Sequence, residues 1–579
     1  MSRFRLAVLL VLATLVPAGA AQRSPLSDGD IADIATIVKL EDSRWFDGEV
    51  LARLLASAHP EVKRRAVVAL GRIPNPGGTA LLEPLRKDPS TEIVATVAFA
   101  HGQIKDPAAV PWLAETLHAA TTPAPVALEA ARALGKVRTP EAWTALAAYL
   151  TSAQDTPATA PVVGEALLSI GRFVDRLDVV PVVRRDIAPI VRWTTTTDAQ
   201  VRWRATWALF RPRNSAAVPH LLTLSQDPSP DVRFWAVRGL APALVDEAKA
   251  EGIDRGVTSA RLRAAVTDPD RRVRAEALRA LGAYDDDASF EVVLAALDDP
   301  DTWMSVSAAE SLGRFKDRIA ALAPGLGAAA APGKPVALRL TALTPLTQLA
   351  PPLALEAASA LLREPSLFVR TSATQALRRM GPIGQQRLDQ LAADPTMKDL
   401  LVPAPAPGGG RGAGAAPPAP GSGRTDADYR AIVERWIVPA YNGSRAPRAV
   451  WTTPRGEIEL ELSPGESPLG MEELVRLTES GAIAGTVFSR VVPNFVAQQA
   501  TIAGANRLRD EVSRLGLTRG NLAWASSGLD TGRPGYTLGS TPQPHNEGDF
   551  TALGRVIRGM DVVDRLELGD AVTAARMVR

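Results

Sequence analysis

Between about residues 28 and 400 the chain repeats itself, and a repeat of this period narrows the possible folds more than any other feature of the sequence. The unit is a β-branched or apolar residue, a small or basic stretch, then Ala-Leu or similar, often ending in Gly. Val62 opens Val-Lys-Arg-Arg-Ala-Val-Val-Ala-Leu-Gly, Val126 opens Val-Ala-Leu-Glu-Ala-Ala-Arg-Ala-Leu-Gly, and Val273 opens Val-Arg-Ala-Glu-Ala-Leu-Arg-Ala-Leu-Gly. Weaker copies start near Ile93, Val162, Val201, Val232, Met304, Val336 and Val369. Successive starts lie about 31 to 41 residues apart, the range of helical-pair repeats.

Within each unit the apolar spacing, such as Val273, Ala277, Leu278 and Leu281, is helical. Asp227-Pro228, Asp268-Pro269 and His59-Pro60 precede three copies, and a proline in the first turn behind a capping side chain is a helix start. Gly71, Gly135 and Gly282 stand where a helix would end in a left-handed cap. Second helices are predicted over Trp143 to Leu150 and over Val218 to Leu224, the latter with Pro219 in its first turn. One such pair cannot bury its apolar stripe alone, so neighbours must stack. The pattern resembles HEAT and HEAT-like repeats, which implies an all-α solenoid over 28–400 and a surface for protein partners. Trp203, Trp207 and Trp235 lie in this region, and their helical spacing predicts that they pack between helices rather than form an aromatic binding ridge.

The chain has 579 residues, 46% hydrophobic and 22% charged, which suits several soluble domains. A net charge of +2 gives no reason to expect a nucleic-acid partner. The absence of cysteine excludes disulfides, thiolate metal sites, a cysteine nucleophile and lipid attachment through sulfur. Arg3 and Arg5, the apolar run Leu6 to Val16 and the small residues Ala18-Gly19-Ala20 read as a signal peptide over 1–21. The other reading of the run is an uncleaved anchor. Charges interrupt every later apolar run. The expected mature protein is exported, periplasmic or secreted, with no stable membrane insertion.

Residues 401–425 are rich in Pro, Gly and Ala and predict a disordered linker. At about 5–6 Å times the root of its length it would hold the flanking domains about 25 Å apart and leave them free to move. A connecting amphipathic helix is expected over 426–445, with Tyr429, Ile432, Val433, Trp436 and Ile437 on one face. The last domain, 446–579, opens on a half-buried strand in which Ile458, Leu460 and Leu462 alternate with Glu457, Glu459 and Glu461. Further strands are expected over Thr486 to Val492, Asn521 to Ala525 and Ala552 to Ile557. Helices are expected over Pro468 to Ser480 and Asp561 to Leu566. A closed β-barrel with flanking helices accommodates this order.

The segment Val487 to Gln498 reads Val-Phe-Ser-Arg-Val-Val-Pro-Asn-Phe-Val-Ala-Gln, with Arg490, Phe495 and Gln498 at spacings of five and three. Arg509-Asp510-Glu511, Gly520-Asn521-Leu522-Ala523-Trp524-Ala525, Gly528 to Gly532, Pro542-Gln543-Pro544-His545 and Gly554 to Val563 follow in order. Taken together the domain resembles the cyclophilins, the peptidyl-prolyl cis-trans isomerases. The resemblance implies rotation about X-Pro bonds of protein or peptide clients, without cofactor or metal. It implies that Arg490 donates to the prolyl nitrogen, Phe495 seats the proline ring and Gln498 holds the substrate backbone. Val496, Trp524, Ala525, Thr537 and His545 are implied as substrate-binding.

The sequence also departs from that family. Gln499-Ala500-Thr501 stands where Gly-Gly-Asp is usual, and the loop Ile502 to Arg507 is short. Gly535-Tyr536-Thr537-Leu538 replaces the usual Gln-Phe-Phe-Ile, so Thr537 takes the place of a pocket phenylalanine. Loss of an aromatic from an apolar pocket costs a few kcal/mol of binding. The rival reading is therefore a non-catalytic scaffold whose barrel only binds proline-containing segments. Histidines at 59, 101, 118, 220 and 545 have no metal-ligand spacing. Neither a phosphate loop nor a Gly-x-Ser-x-Gly elbow is present.

Overall fold

The structure, a computed structural model, describes residues 24–73, 75–175, 186–397, 400–402, 423–526, 528–532 and 535–578. The expected signal peptide and most of the expected linker lie outside those residues.

Among the described residues the repeat region is built from helices. One row runs through Asp28–Ser43, Pro60–Arg72, Thr91–Ile104, Ala124–Val137, Ala160–Ile170, Ala199–Phe210, Pro230–Gly239, Arg271–Leu281, Thr302–Leu312, Val336–Leu349 and Leu367–Arg379, each packed on the next. The repeat openings Val62, Val126 and Val273 are 0–3% exposed, as a stripe facing neighbouring helices requires. Trp203, Trp207 and Trp235 are buried between helices, as their spacing predicts.

The repeat glycines serve a different purpose from the expected one. Gly71 and Gly135 lie inside their helices, and Gly282 ends its helix with ordinary right-handed backbone. A Cβ on Gly71 would come 3.1 Å from the Ala100 Cα, one on Gly135 2.5 Å from the Ser169 Cβ, and one on Gly282 2.7 Å from the Ser311 Cβ. Each glycine lets its helix approach the next one in the row. The left-handed caps are carried by Arg44, Lys105, Arg138 and Lys249. The predicted Asp caps also shift. Asp227 and Asp268 lie two residues before the capping positions and bind Arg202 and Arg233 of the preceding repeat at 2.9 and 2.8 Å. His59 does cap its helix, its Nδ1 accepting from the Glu61 amide at 3.2 Å.

The C-terminal domain is one antiparallel sheet of eight strands: β1 Arg448–Thr453, β2 Gly456–Leu462, β3 Phe488–Val492, β4 Val496–Gln499, β5 Asn521–Trp524, β6 Tyr536–Gly539, β7 Ala552–Arg558 and β8 Ala574–Val578. Their order is β3-β4-β6-β5-β7-β2-β1-β8. The sheet curls until 569–572 meets 485–488, with Phe488 N donating to Asp570 O and Val572 N to Thr486 O, both at 2.8 Å. Ile458, Leu460 and Leu462 fill the interior, while their glutamate neighbours face outward. The helix Pro468–Glu479 covers one opening.

The linker's composition predicted two domains held apart, but the two are docked. Composition describes the linker and not the surfaces it joins. The connecting segment Asp426–Tyr441, helical with a wide turn over Val433–Ile437, lies on the first helix of the solenoid. Tyr429, Ile432 and Trp436 merge the interior of the first repeats with that of the barrel into one apolar core. At the centre of the interface Arg72 is 3% exposed and pairs with Glu41 at 2.8 Å. Its other nitrogens donate to Val512 O at 2.8 Å and Glu466 O at 2.7 Å, both in the barrel. Replacing Arg72 by Ala strands the buried Glu41 carboxylate and two carbonyls, an expected loss of about 3–5 kcal/mol. Denaturant unfolding of the full chain measures it, and Arg72→Lys, with a single nitrogen, should recover only part.

Candidate functional site

The site is built on the β3–β4 hairpin. Its turn is tight: Phe495 N donates to Val492 O at 3.0 Å, and Asn494 takes φ 63°, a left-handed conformation that asparagine tolerates better than most side chains. The register sets Arg490 directly opposite Gln498, and Arg490 Nη1 donates to Gln498 Oε1 at 3.3 Å. The same rung continues to Thr537 on β6 and Ala523 on β5. Arg490, Gln498, Thr537 and Ala523 therefore lie in one row across four strands. Because side chains alternate along a strand, Val496 shares the face of Gln498, and Ala525 that of Ala523.

Phe495 stands beside this row. The Arg490 guanidinium carbon lies 5.3 Å from the centre of its ring, within cation–π range. Its carbonyl accepts from Ser540 N and Gln543 Nε2, both at 3.1 Å, which ties the hairpin to the loop carrying His545. The His545 ring stacks on Phe495 with centres 5.9 Å apart and 22° between planes. His545 also lines a cavity of about 90 Å³ shared with the solenoid residues Lys105, Lys136 and Arg172. Burial, reinforced by Arg211, Arg238 and Arg172, pushes its imidazole pKa down to about 4. The ring is thus neutral at physiological pH, and Arg490 carries the permanent charge of the row.

The structure brings Arg490, Phe495, Gln498, Thr537 and His545 together. Trp524 is placed elsewhere: it is 3% exposed and belongs to the barrel interior, its ring edge-on to Tyr536 at 5.1 Å. A side chain one position along a strand points to the opposite face, and Ala523 occupies the outer one. Ala523 joins Leu517, Ala552 and Phe550 in a small apolar cluster outside the barrel core. The motif reading did not single out Leu517, Ala523 or Phe550, although the alternation of β5 marks Ala523. Thr537 Oγ1 donates to Ala523 O at 3.3 Å, so its hydroxyl is turned to the backbone at the edge of that cluster. Among the described residues no group of three or more His, Cys, Asp or Glu could hold a metal ion.

The sequence model for cyclophilin type peptidyl-prolyl cis-trans isomerases matches residues 449–579. A peptidyl-prolyl cis-trans isomerase of Helicobacter pylori is 31% identical over 130 residues, 21% of this chain and 80% of its own. The chain belongs to the cyclophilin family. Peptidyl-prolyl cis-trans isomerase B of Bacillus subtilis is 30% identical over 129 residues, 21% of this chain and 90% of its own. A solved cyclophilin type isomerase of Cryptosporidium parvum aligns at 17% identity with TM-score 0.22, over 23% of this chain and 98% of its own. HEAT repeat models match 49–126, 79–163, 217–242 and 258–332. A cyclophilin domain thus follows a HEAT-repeat region, a region type associated with protein binding.

A depressed histidine pKa has a definite sign. Neutral His545 is favoured by the folded state, so its contribution is present above the unfolded value of about 6.5 and is lost as pH falls through about 4. Proline-peptide affinity is expected to stay level from pH 5 to 8 and to fall below about pH 4. Titration calorimetry of the full chain across that range tests it, and His545→Phe should abolish the acid limb.

Proposed function

We propose that the protein is an exported peptidyl-prolyl cis-trans isomerase, periplasmic or secreted, whose HEAT region meets the client proteins. The row Arg490–Gln498–Thr537 beside Phe495 carries this reading. The barrier to X-Pro rotation, about 18–20 kcal/mol, comes from amide resonance. Resonance weakens when the prolyl nitrogen becomes pyramidal and its lone pair accepts a hydrogen bond. Arg490 is charged at every working pH and exposed enough to meet that nitrogen. Gln498 braces it at 3.3 Å and keeps its NH₂ for the substrate backbone. Phe495 offers the proline ring an apolar seat. A donor fixed beforehand favours the twisted transition state over either ground state, and no nucleophile or metal takes part.

The solenoid face carrying Arg44, Arg72, Arg172 and Arg279 is occupied by the barrel. Client contact therefore falls to the other faces of the helical region. The export half of the proposal rests on the N-terminal sequence, and among the described residues no helix is long and apolar enough to cross a membrane.

The test is cis/trans isomerisation of a short X-Pro peptide by the full chain. Arg490→Ala should lower kcat/KM by about 10²–10³-fold, the scale of one lost transition-state donor, with the melting temperature unchanged. Thr537 is the specific observation favouring the scaffold reading, in which peptide binds without turnover. Thr537→Phe, adding ring area beside Ala523 and Phe550, is expected to tighten peptide binding by about 1–2 kcal/mol. A wild type that binds the peptide but gives no acceleration would replace the enzyme by the scaffold.

A further inference from the structure

The aromatic side of the site is made by two stacked residues, Phe495 and His545, each preceded in sequence by a segment that the solenoid grips. Ahead of Phe495 lies the hairpin turn. Arg279 Nη1 donates to Pro493 O at 2.6 Å. The Asn494 amide donates to Arg272 O at 2.8 Å and to Glu276 Oε2 at 3.3 Å, and Asn494 is 1% exposed. Ahead of His545 lies Pro544, whose carbonyl accepts from Arg172 Nε at 3.0 Å. Arg172 also binds Glu547, two residues beyond the histidine, at 2.9 Å.

The grips are themselves anchored within the solenoid. Arg279 pairs with Glu310 of the next helix at 3.1 Å, and Arg172 with Glu165 at 2.9 Å. From the barrel side the same two segments are tied to each other. Thr541 Oγ1 donates to Asn494 O at 2.8 Å, and Gln543 Nε2 donates to Phe495 O. Solenoid and barrel thus hold neighbouring groups of the same two short segments, one on each flank of the stacked rings.

We propose that Arg279, Glu276 and Arg172 of the solenoid are positioning residues for the prolyl pocket. They set the spacing between Phe495 and His545, and the pocket reaches its binding geometry only in the docked molecule. The inference rests on reading this groove as the prolyl site. A pocket held within about 0.5 Å of its working geometry binds without an ordering cost, and that cost returns when the support is removed. None of the three residues touches substrate, so their loss should weaken binding while leaving the Arg490–Gln498 pair to act on whatever binds.

The experiment uses the full chain with Arg279→Ala, Arg279→Lys and Asn494→Gly. The glycine keeps the left-handed backbone while removing the amide's contacts to the solenoid. Two quantities are read: KM and kcat on a short X-Pro peptide, and amide hydrogen exchange over 493–499 against that over β1 and β2. Arg279→Ala and Asn494→Gly should raise KM about fivefold, hold kcat within about twofold and speed exchange only in 493–499. Arg279→Lys, still able to donate to Pro493 O, should return KM to within about twofold of wild type. Unchanged KM and exchange would overturn the proposal, as would faster exchange spread equally over β1 and β2, which marks general loosening. A wild type without turnover would defeat the isomerase reading instead. Exchange in 493–499 then decides the positioning claim: local acceleration sustains it and none overturns it.

Discussion

Loop carbonyls of the barrel lack partners within the sheet, and the solenoid supplies them as arginine donors. Arg44 reaches Asp510 O, Arg65 reaches Gly465 O, Arg72 reaches Glu466 O and Val512 O, Arg172 reaches Pro544 O, Arg271 reaches Asp564 O, and Arg279 reaches Pro493 O. A guanidinium suits this task because it has several donors in a fixed fork and never loses its charge. Each also holds a carboxylate, as in Arg72–Glu41 and Arg172–Glu165, so that the buried charge is paired. This contact, repeated along the helical row, acts beside the shared apolar core of Tyr429, Ile432 and Trp436 in docking the two domains.

The same arrangement bears on the place where the site departs from its family's pattern. Thr537 fills less space than the phenylalanine it replaces, yet its hydroxyl is satisfied on Ala523 O. Ala523 itself packs with Leu517, Ala552 and Phe550 in a small buried apolar cluster. Support for the aromatic side comes from outside the barrel, through Asn494 and Pro544. An isolated barrel would lose that support together with the apolar cover of Tyr429, Ile432 and Trp436.

What the sequence revealed follows from the range over which its signals act. Helical period and strand alternation are local, and they placed the repeats, β2 and the helix Pro468–Glu479. The spacing of Arg490 and Gln498 translates into a rung, with Phe495 in the turn beside it, because a hairpin fixes its own register. The family resemblance set Trp524 at the site, but a one-residue step along β5 carries its side chain into the barrel core. The repeat glycines misled for another reason. A glycine at a helix end serves equally as a left-handed cap or as a close-approach site, and only the neighbour, such as Ser169 against Gly135, decides between them. Docking left no local trace. Arg72, Arg172 and Arg279 read as ordinary cations near helix ends until the barrel, hundreds of residues away, is set against them.

The hydroxyl of Tyr429 meets the carboxylate of Asp42 across 387 residues of sequence. The first helix of the solenoid is therefore made long before the segment that covers it. At about 5–20 residues per second a ribosome needs roughly 20–80 s to bridge that gap. During that interval the apolar surface that Tyr429 and Trp436 will close, formed by residues such as Ile34 and Ile37, waits uncovered and prone to self-association. The connecting segment, made hundreds of residues later, completes the first repeat, so a chain cut short before Asp426 leaves that apolar surface open. Fidelity of synthesis and burial of the first repeat become a single event.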